Sequence, residues 1–441
     1  MPTLQERLGD LASEAPLRQH PGDLWQRGRR LHRRRTATAA AALLALVVAL
    51  SVGMLPLLGN GPGEPLPADR DTADLHLPRT VHAPHPWARG TADAGQIGPL
   101  AAVGLAHRNL PDGVFGERRE QALFGVSAVD GTSRWLEEPE LSADVEMQSL
   151  VGWFALSPDG RWLGWVRHEP APESDTFVAL RSVTGWAVMD TLTGEVRELE
   201  DPRAPRPLGT DVFEIEFSGD SRYLLTNYSR TGNDSRSDRL VAWDVTTGER
   251  IPVEEDGHYW LPSLGSAPTG VVWSRGRDVH RVDPASGRRS TVTLPGDVVE
   301  ASWGPDDRAM AWIEDPEGNG PWALRAGPSI DAIEPMSLGV QPSQLLGWTD
   351  DRHVVVGHDR QDVRIVDVVT GTVERERVEA GGGVISVPLL AADLWANDLV
   401  EAGEPPTARD PRRPWYVAGG VAVGAGILVV LVLLARRRLR A

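Results

Sequence analysis

A chain of 441 residues has room for two or three ordinary domains or one large β domain with appendages, and its lack of cysteine excludes disulfides, thiolate metal sites and cysteine nucleophiles. The formal net charge of −17 is unevenly spread: residues 1–35 carry eight Arg and four acids, residues 436–441 four Arg and no acid, leaving 33 basic and 58 acidic residues between them, a net of −25. A body that acidic repels phosphates and excludes nucleic acid as a partner.

All 45 basic residues are Arg, which with abundant Ala, Gly, Val and Pro is the usage of a GC-rich bacterial genome of actinobacterial type. The head, residues 1–35, places Leu4, Leu8 and Leu11 at helical spacing over Thr3–Glu14 before Pro16 stops the run. It reads either as a short amphipathic helix offering residues 1–15 to a cytoplasmic partner or as a solvated leader supplying positive charge. Residues 36–58 (TATAAAALLALVVALSVGMLPLL) carry no charge over 23 positions, and about 20 apolar residues suffice for a helix to cross the hydrocarbon of a bilayer. This stretch is longer than the apolar part of a signal peptide and lacks a clean cleavage site after it, so an uncleaved anchor is expected. Residues 59–95 are rich in Pro, Gly and Asp and read as a tether. His76, His82 and His85 within it form a weak metal candidate with no fourth ligand nearby.

The middle of the chain repeats. Asp-x-x-Ser/Thr-Gly recurs from Asp190 to Gly194, Asp244 to Gly248, Asp283 to Gly287 and Asp367 to Gly371, each between an apolar β-rich stretch and a short polar one. That is a hairpin signature: the Asp accepts backbone N–H groups in the turn and the Gly takes positive φ. Upstream lies a second pattern, ALSPDGRWLGWV at 155–166, EFSGDSRYLLTNY at 216–228, SWGPDDRAMAWI at 302–313 and GWTDDRHVVVG at 347–357, with a weaker copy at 272–282. The hairpin Asps advance by 54, 39 and 84 residues; a degenerate copy at 322–327 fills the last interval, and Asp130-Gly131 marks an earlier one. A period near 40–45 with about four short strands per unit is that of propeller blades. The SPDGRWLGWV element resembles the PD40, WD40-like repeat of TolB-type propellers. The resemblance covers residues 96–395 and implies an all-β ring of six blades, or seven, each a four-stranded antiparallel sheet. VISVPLL at 384–390 is expected to close the ring against N-terminal strands. Trp162, Trp165, Trp186, Trp243, Trp273, Trp303, Trp312 and Trp348 lie in the repeat strands, where they read as wedge filling between blades or, less strongly, as an aromatic binding surface.

Residues 396–414 read as a second tether and Trp415–Ala435 as a second uncharged span of 21 residues, followed by the Arg-rich tail 436–441. Arg on the outer flanks of both spans places both termini in the cytoplasm and the ring outside, as a two-pass protein of the cell membrane. No Gly-x-Ser-x-Gly elbow, His-Glu-x-x-His, phosphate-binding loop or dinucleotide fingerprint occurs. No catalytic, cofactor-binding or metal residue is therefore assigned, and no cofactor. The expected function is a non-catalytic binding or scaffold module for an envelope protein, peptide or glycan, anchored in the lipid bilayer. One alternative is a signalling regulator whose head controls a sigma factor, since the head resembles leaders of actinobacterial membrane proteins paired with such factors. The other is an enzyme with a site assembled from scattered loops.

Overall fold

The inner strands of the repeat are apolar on both faces because each blade lies between two others, whereas the outermost strands are polar and open to water. β7 (Val183–Asp190), β10 (Tyr223–Tyr228) and β18 (Met310–Glu314) are almost wholly buried, while β16 (Arg289–Thr293) and β24 (Val373–Arg377) are mostly exposed. The computed structural model describes residues 75–113, 115–138, 150, 152–168, 183–202, 204, 215–228, 239–254, 263–315, 321–358 and 362–438. The head, the first expected span at 36–58 and the tether up to residue 74 lie outside the described residues, as do residues 439–441. The chain divides into two units, residues 62–410 and residues 1–61 with 411–441.

The larger unit is a six-bladed β-propeller of four-stranded antiparallel sheets. Blade 2 is β5 (Phe154–Leu156), β6 (Trp162–His168), β7 and β8 (Val196–Leu199). Blade 3 is β9 (Ile215–Phe217), β10, β11 (Arg239–Asp244) and β12 (Arg250–Glu254). Blade 4 is β13 (Ser263–Gly265), β14 (Val271–Arg275), β15 (Asp278–Val282) and β16. Blade 5 is β17 (Val298–Trp303), β18, β19 (Ala323–Gly327) and β20 (Glu334–Met336); blade 6 is β21 (Gln344–Trp348), β22 (His353–Gly357), β23 (Asp362–Asp367) and β24. Blade 1 joins the two ends of the ring: β2 (Leu100–Asp112), β3 (Gly116–Ser127) and β4 (Ser133–Trp135) are completed by β26 (Leu389–Leu390), which pairs with Val103 and Ala102 of β2. The closing strand thus falls within the expected stretch 384–390.

Two expectations are corrected. The weaker copy at 272–282 is the hairpin between β14 and β15, one turn later than its presumed counterparts. Gly276 at φ +58° permits that tight turn, and the true first turn of blade 4 runs through residues 266–270. The tether reading also fails over residues 75–95 and 396–400. Leu75, Leu77 and Val81 are buried. β1 (Thr80–Val81) pairs in parallel with β25 (Glu379–Ala380), and Val400 bonds to Leu77 and Arg79 across the gap. Period-two apolar side chains hold these segments on the ring despite a linker-like composition.

Wedge filling accounts for six of the eight tryptophans named in the repeat strands. Trp165, Trp186, Trp243, Trp273, Trp312 and Trp348 are buried in the clusters between blades, with Trp135 beside them. Trp162 and Trp303 are half-buried, each beneath an Arg, Arg161 and Arg281.

In the other unit, α2 (Arg413–Arg438) is apolar all round and has no buried residue. α1 (Thr91–Ala94) is a single turn beside blade 1. Among the described residues α2 is the one helix long and apolar enough to cross a membrane. At 26 residues it is about 39 Å long, sufficient for a bilayer core.

Candidate functional site

Antiparallel strand order sorts the connections onto two faces of the ring. The first and third turns of every blade lie on one face; the second turns and the links between blades lie on the other. On the first face the two repeated sequence signals meet. Arg161, from the SPDGR turn, bonds Asp190 of the third turn at 3.0 Å. Arg222 bonds Asp244 at 3.2 Å and Arg352 bonds Asp367 at 2.8 Å, so three blades carry the same clamp. The turn Asps also accept backbone N–H groups, Leu192 at Asp190 and Thr246 and Thr247 at Asp244. Gly194, Gly248, Gly287 and Gly371 all have φ between +68° and +76°. Burial opposes the charge of Asp244, but the Thr247 amide and Arg222 prevail and hold its carboxyl below the usual range.

Ser157 Oγ donates to Asp159 at 2.6 Å and accepts from the Trp162 amide; Ser218 repeats this with Asp220 and Tyr223. In both places the Ser hydroxyl braces its turn, donating to the carboxylate and accepting from the backbone amide that opens the next strand. From blade to blade the innermost turns and strands are laced together: Asp159 N to Ser221 Oγ at 3.2 Å, Gly219 N to Ala267 O at 3.0 Å, Ser266 N to Ala301 O of β17 at 3.0 Å and Leu345 N of β21 to Glu300 Oε2 of β17 at 2.8 Å. Among the described residues no group of three or more His, Asp or Glu is placed to hold a metal ion. His76 lies against Asp398 O and His85 Nδ1 accepts from the Trp87 amide, so these two are engaged in separate backbone contacts.

Blade 1 carries the feature that departs from the repeat. Its central hairpin has strands of 13 and 12 residues, against seven and eight in blade 2. Pairing continues past the last buried pair, Ala106 with Ala122, through six more pairs from His107–Gln121 to Asp112–Gly116. At about 3.3 Å per residue this makes an arm of about 20 Å. It leaves the face opposite the clamped turns.

The arm is braced at its root. Gly104 leaves room for the Phe124 ring, since a Cβ there would lie 2.6 Å from Phe124 Cζ, and Phe124 meets Trp135 edge-on at 6.3 Å. Arg108 bonds Glu120 at 2.8 Å and Glu137 at 3.0 Å; burial opposes its charge, yet the two carboxylates raise its pKa above the usual value. Asn109 N donates to Pro86 O at 2.9 Å, tying the arm to the N-terminal strap. Beyond this root, residues 111–113 and 115–119 are exposed, and Phe115 at the tip is 85 % open to solvent. The arm thus carries an exposed aromatic ring at the end of a hairpin that is braced at its root. Sequence reading missed the arm, although Asp112-Gly113 between two apolar runs is a hairpin signal.

No family model matches the chain, and no curated protein matches it. Among solved structures it is similar to the hydrazine synthase of Kuenenia stuttgartiensis, at 12 % identity and a TM-score of 0.35, over 56 % of this chain and 71 % of that one. It is also similar to a chain of a nidogen/laminin complex, at 8 % identity and a TM-score of 0.38, over 66 % of this chain and 99 % of that one. Likeness at this level carries no argument about activity or partners, and the six blades rest on the chain's own hydrogen-bond topology.

Proposed function

We propose that the chain is a membrane-anchored, non-catalytic binding module whose ring stands outside the cytoplasm and grips an envelope protein, peptide or glycan with the arm of blade 1. The observation that supports this most directly is the arm itself, six residue pairs longer than the buried part of its blade and tipped by an exposed Phe. A rigid ring that presents one projecting element suits recognition, because little conformational freedom is lost on binding. The SPDGR element, with its likeness to the PD40 repeat, belongs to the scaffold in this reading, since its Ser, Asp and Arg are spent on turn and clamp bonds. Anchoring rests on α2, and the outward orientation on the Arg residues at its end.

The test is a photo-reactive amino acid at position 115 of the full chain in its native cells, with a control at Glu374, exposed on an outer strand. A discrete cross-linked product at 115 and none at 374 is expected, and Phe115→Ser should reduce co-purification of that product at unchanged melting temperature. Equal cross-linking at both positions, or turnover by the purified chain of ester, peptide or glycoside substrates, would refute the reading.

A further inference from the structure

A closed ring still leaves the outermost strand of each blade with one unpaired edge, and five of the six edges here are guarded or covered. Blades 2, 3, 4 and 6 share the Asp-x-x-Ser/Thr-Gly turn and can be compared position by position. In each, the amide of the turn Asp donates to the carbonyl of the residue five places on, Glu195, Glu249, Arg288 or Thr372. That bond sets the alternation of the ladder, so the residue eight places after the Asp turns its N–H and C=O away from its strand partner, toward the open edge. The position holds Glu198 in blade 2, Pro252 in blade 3 and Arg375 in blade 6. A charge or a missing donor at that place keeps an edge from pairing with another chain. The outer strand of blade 5 carries Pro335, and that of blade 1 is covered where Trp135 pairs with Gly90. In blade 4 the same position is Thr291.

β16 is held extended, in unbroken register with β15 from Val282–Arg289 to Asp278–Thr293. Arg289, Thr291 and Thr293, whose backbone groups face outward, are all exposed. Their side chains are engaged within the ring: Thr291 Oγ1 lies 2.9 Å from His280 Nδ1, Thr293 Oγ1 donates to Asp278 at 2.6 Å and Arg289 donates to Val253 O at 2.6 Å. The open hydrogen-bonding surface is therefore backbone. Charge sets this blade apart as well. From Ser263 to Thr293 it holds five Arg and two Asp, a net of +3 (5 − 2), whereas each other blade, counted the same way, is neutral or negative. Guanidinium groups stand at both ends of the edge. Arg277 donates to Leu294 O at 2.8 Å, so that a backbone carbonyl and not a carboxylate holds it, as Val253 O holds Arg289. Arg288 is exposed, and its side chain bonds no carboxylate among the described residues.

We propose that β16 is a docking edge for an acidic, extended segment of a partner protein, which adds to blade 4 as a fifth strand. Backbone bonds to Arg289, Thr291 and Thr293 hold the segment, and carboxylates at its two ends meet Arg288 and Arg277. From Arg288 to Leu294 the edge runs about 20 Å, the length of about six extended residues. A second copy of this chain is a poor occupant, because its own blade 4 brings the same positive charge. The edge lies on a different blade from the arm, and its role does not depend on what the arm binds.

The test is fluorescence anisotropy of a labelled peptide, Glu-Val-Thr-Val-Thr-Glu, titrated with the full chain in detergent. Saturable binding is expected. Thr291→Pro copies the guard of blade 3 without removing a ladder bond, and Thr291→Glu copies that of blade 2. Each should weaken binding about tenfold while leaving the circular dichroism of the ring unchanged. The same peptide N-methylated at its four central residues keeps its charges and should not bind, and one with Arg in place of Glu should bind about tenfold more weakly. Phe115→Ser should bind the peptide like the wild type. Absence of binding by the acidic peptide, equal binding of its N-methylated form, or undiminished binding by both Thr291 variants would overturn the proposal. So would a wild-type dimer that Thr291→Pro dissociates, since a second copy would then be the occupant.

Discussion

Trp186 and Trp243 face one another across the joint between blades 2 and 3, ring centroids 5.9 Å apart, and Tyr228 completes the cluster at 5.5 Å from Trp186. A tryptophan in an alternating strand reads from sequence alone as core or as binding surface, because alternation assumes one wet face. Blades remove that assumption by covering both. Trp162 shows the other outcome on the same repeat: half-buried, its ring lies under the Arg161 guanidinium at 5.2 Å. Replacing Trp186 by Ala empties a fully buried volume and is expected to cost about 3–5 kcal/mol. Trp162→Ala loses a partly wet ring and a cation–π contact, for about 1–2 kcal/mol. Urea titrations of the two variants check the order; a larger loss at Trp162 would mean that the wedge between blades 2 and 3 is not where this stability resides.

Turns were the most legible elements, since Asp, Gly and Ser in fixed order specify a backbone path without tertiary help. The Arg–Asp clamps join two signals that were both visible, but pairing them needed the strands in place. Legibility failed where one turn chemistry serves two purposes, as at Ser274-Arg275-Gly276-Arg277, and where a strap carries the composition of a linker. The arm is not legible in the spacing of the repeated turns, because what marks it is strand length, 13 and 12 residues. Even within the turns, glycines are unequal. Gly160 at φ +73° sits where a Cβ would lie 2.1 Å from Leu100 O, whereas Gly287 at φ +68° has nothing within 4 Å. Gly287→Ala should therefore cost about 1 kcal/mol, the penalty of positive φ alone. Gly160→Ala must in addition push blade 2 away from β2, and a melting temperature several degrees lower than that of Gly287→Ala is expected. Equal melting temperatures would show that the blade 1–blade 2 joint can shift freely.

At the scale of the molecule, both ends of the ring arrive at one place. His76 N bonds Ala128 O at 2.8 Å, and Ala402 lies against Gly131, so the chain enters and leaves beside the third turn of blade 1. The clamped turn face is thus the side of the chain ends, and the arm points from the other. Which side of a membrane the ring occupies depends on charge at the ends of α2. Arg436, Arg437 and Arg438 close the helix, and Trp415 and Tyr416 stand at its start, where Arg412 lies over the Tyr416 ring at 5.6 Å. Moving three guanidinium groups through hydrocarbon is far costlier than leaving them in the cytoplasm, so on the proposed reading the ring is expected outside and residue 441 inside. The chain has no cysteine, which makes the test clean. Ala285→Cys, in an exposed turn of blade 4, should react with a membrane-impermeant maleimide in intact cells, and Ala441→Cys only after the membrane is opened. Labelling in the reverse order would put the ring in the cytoplasm and remove the basis for an envelope partner, while leaving the six blades untouched.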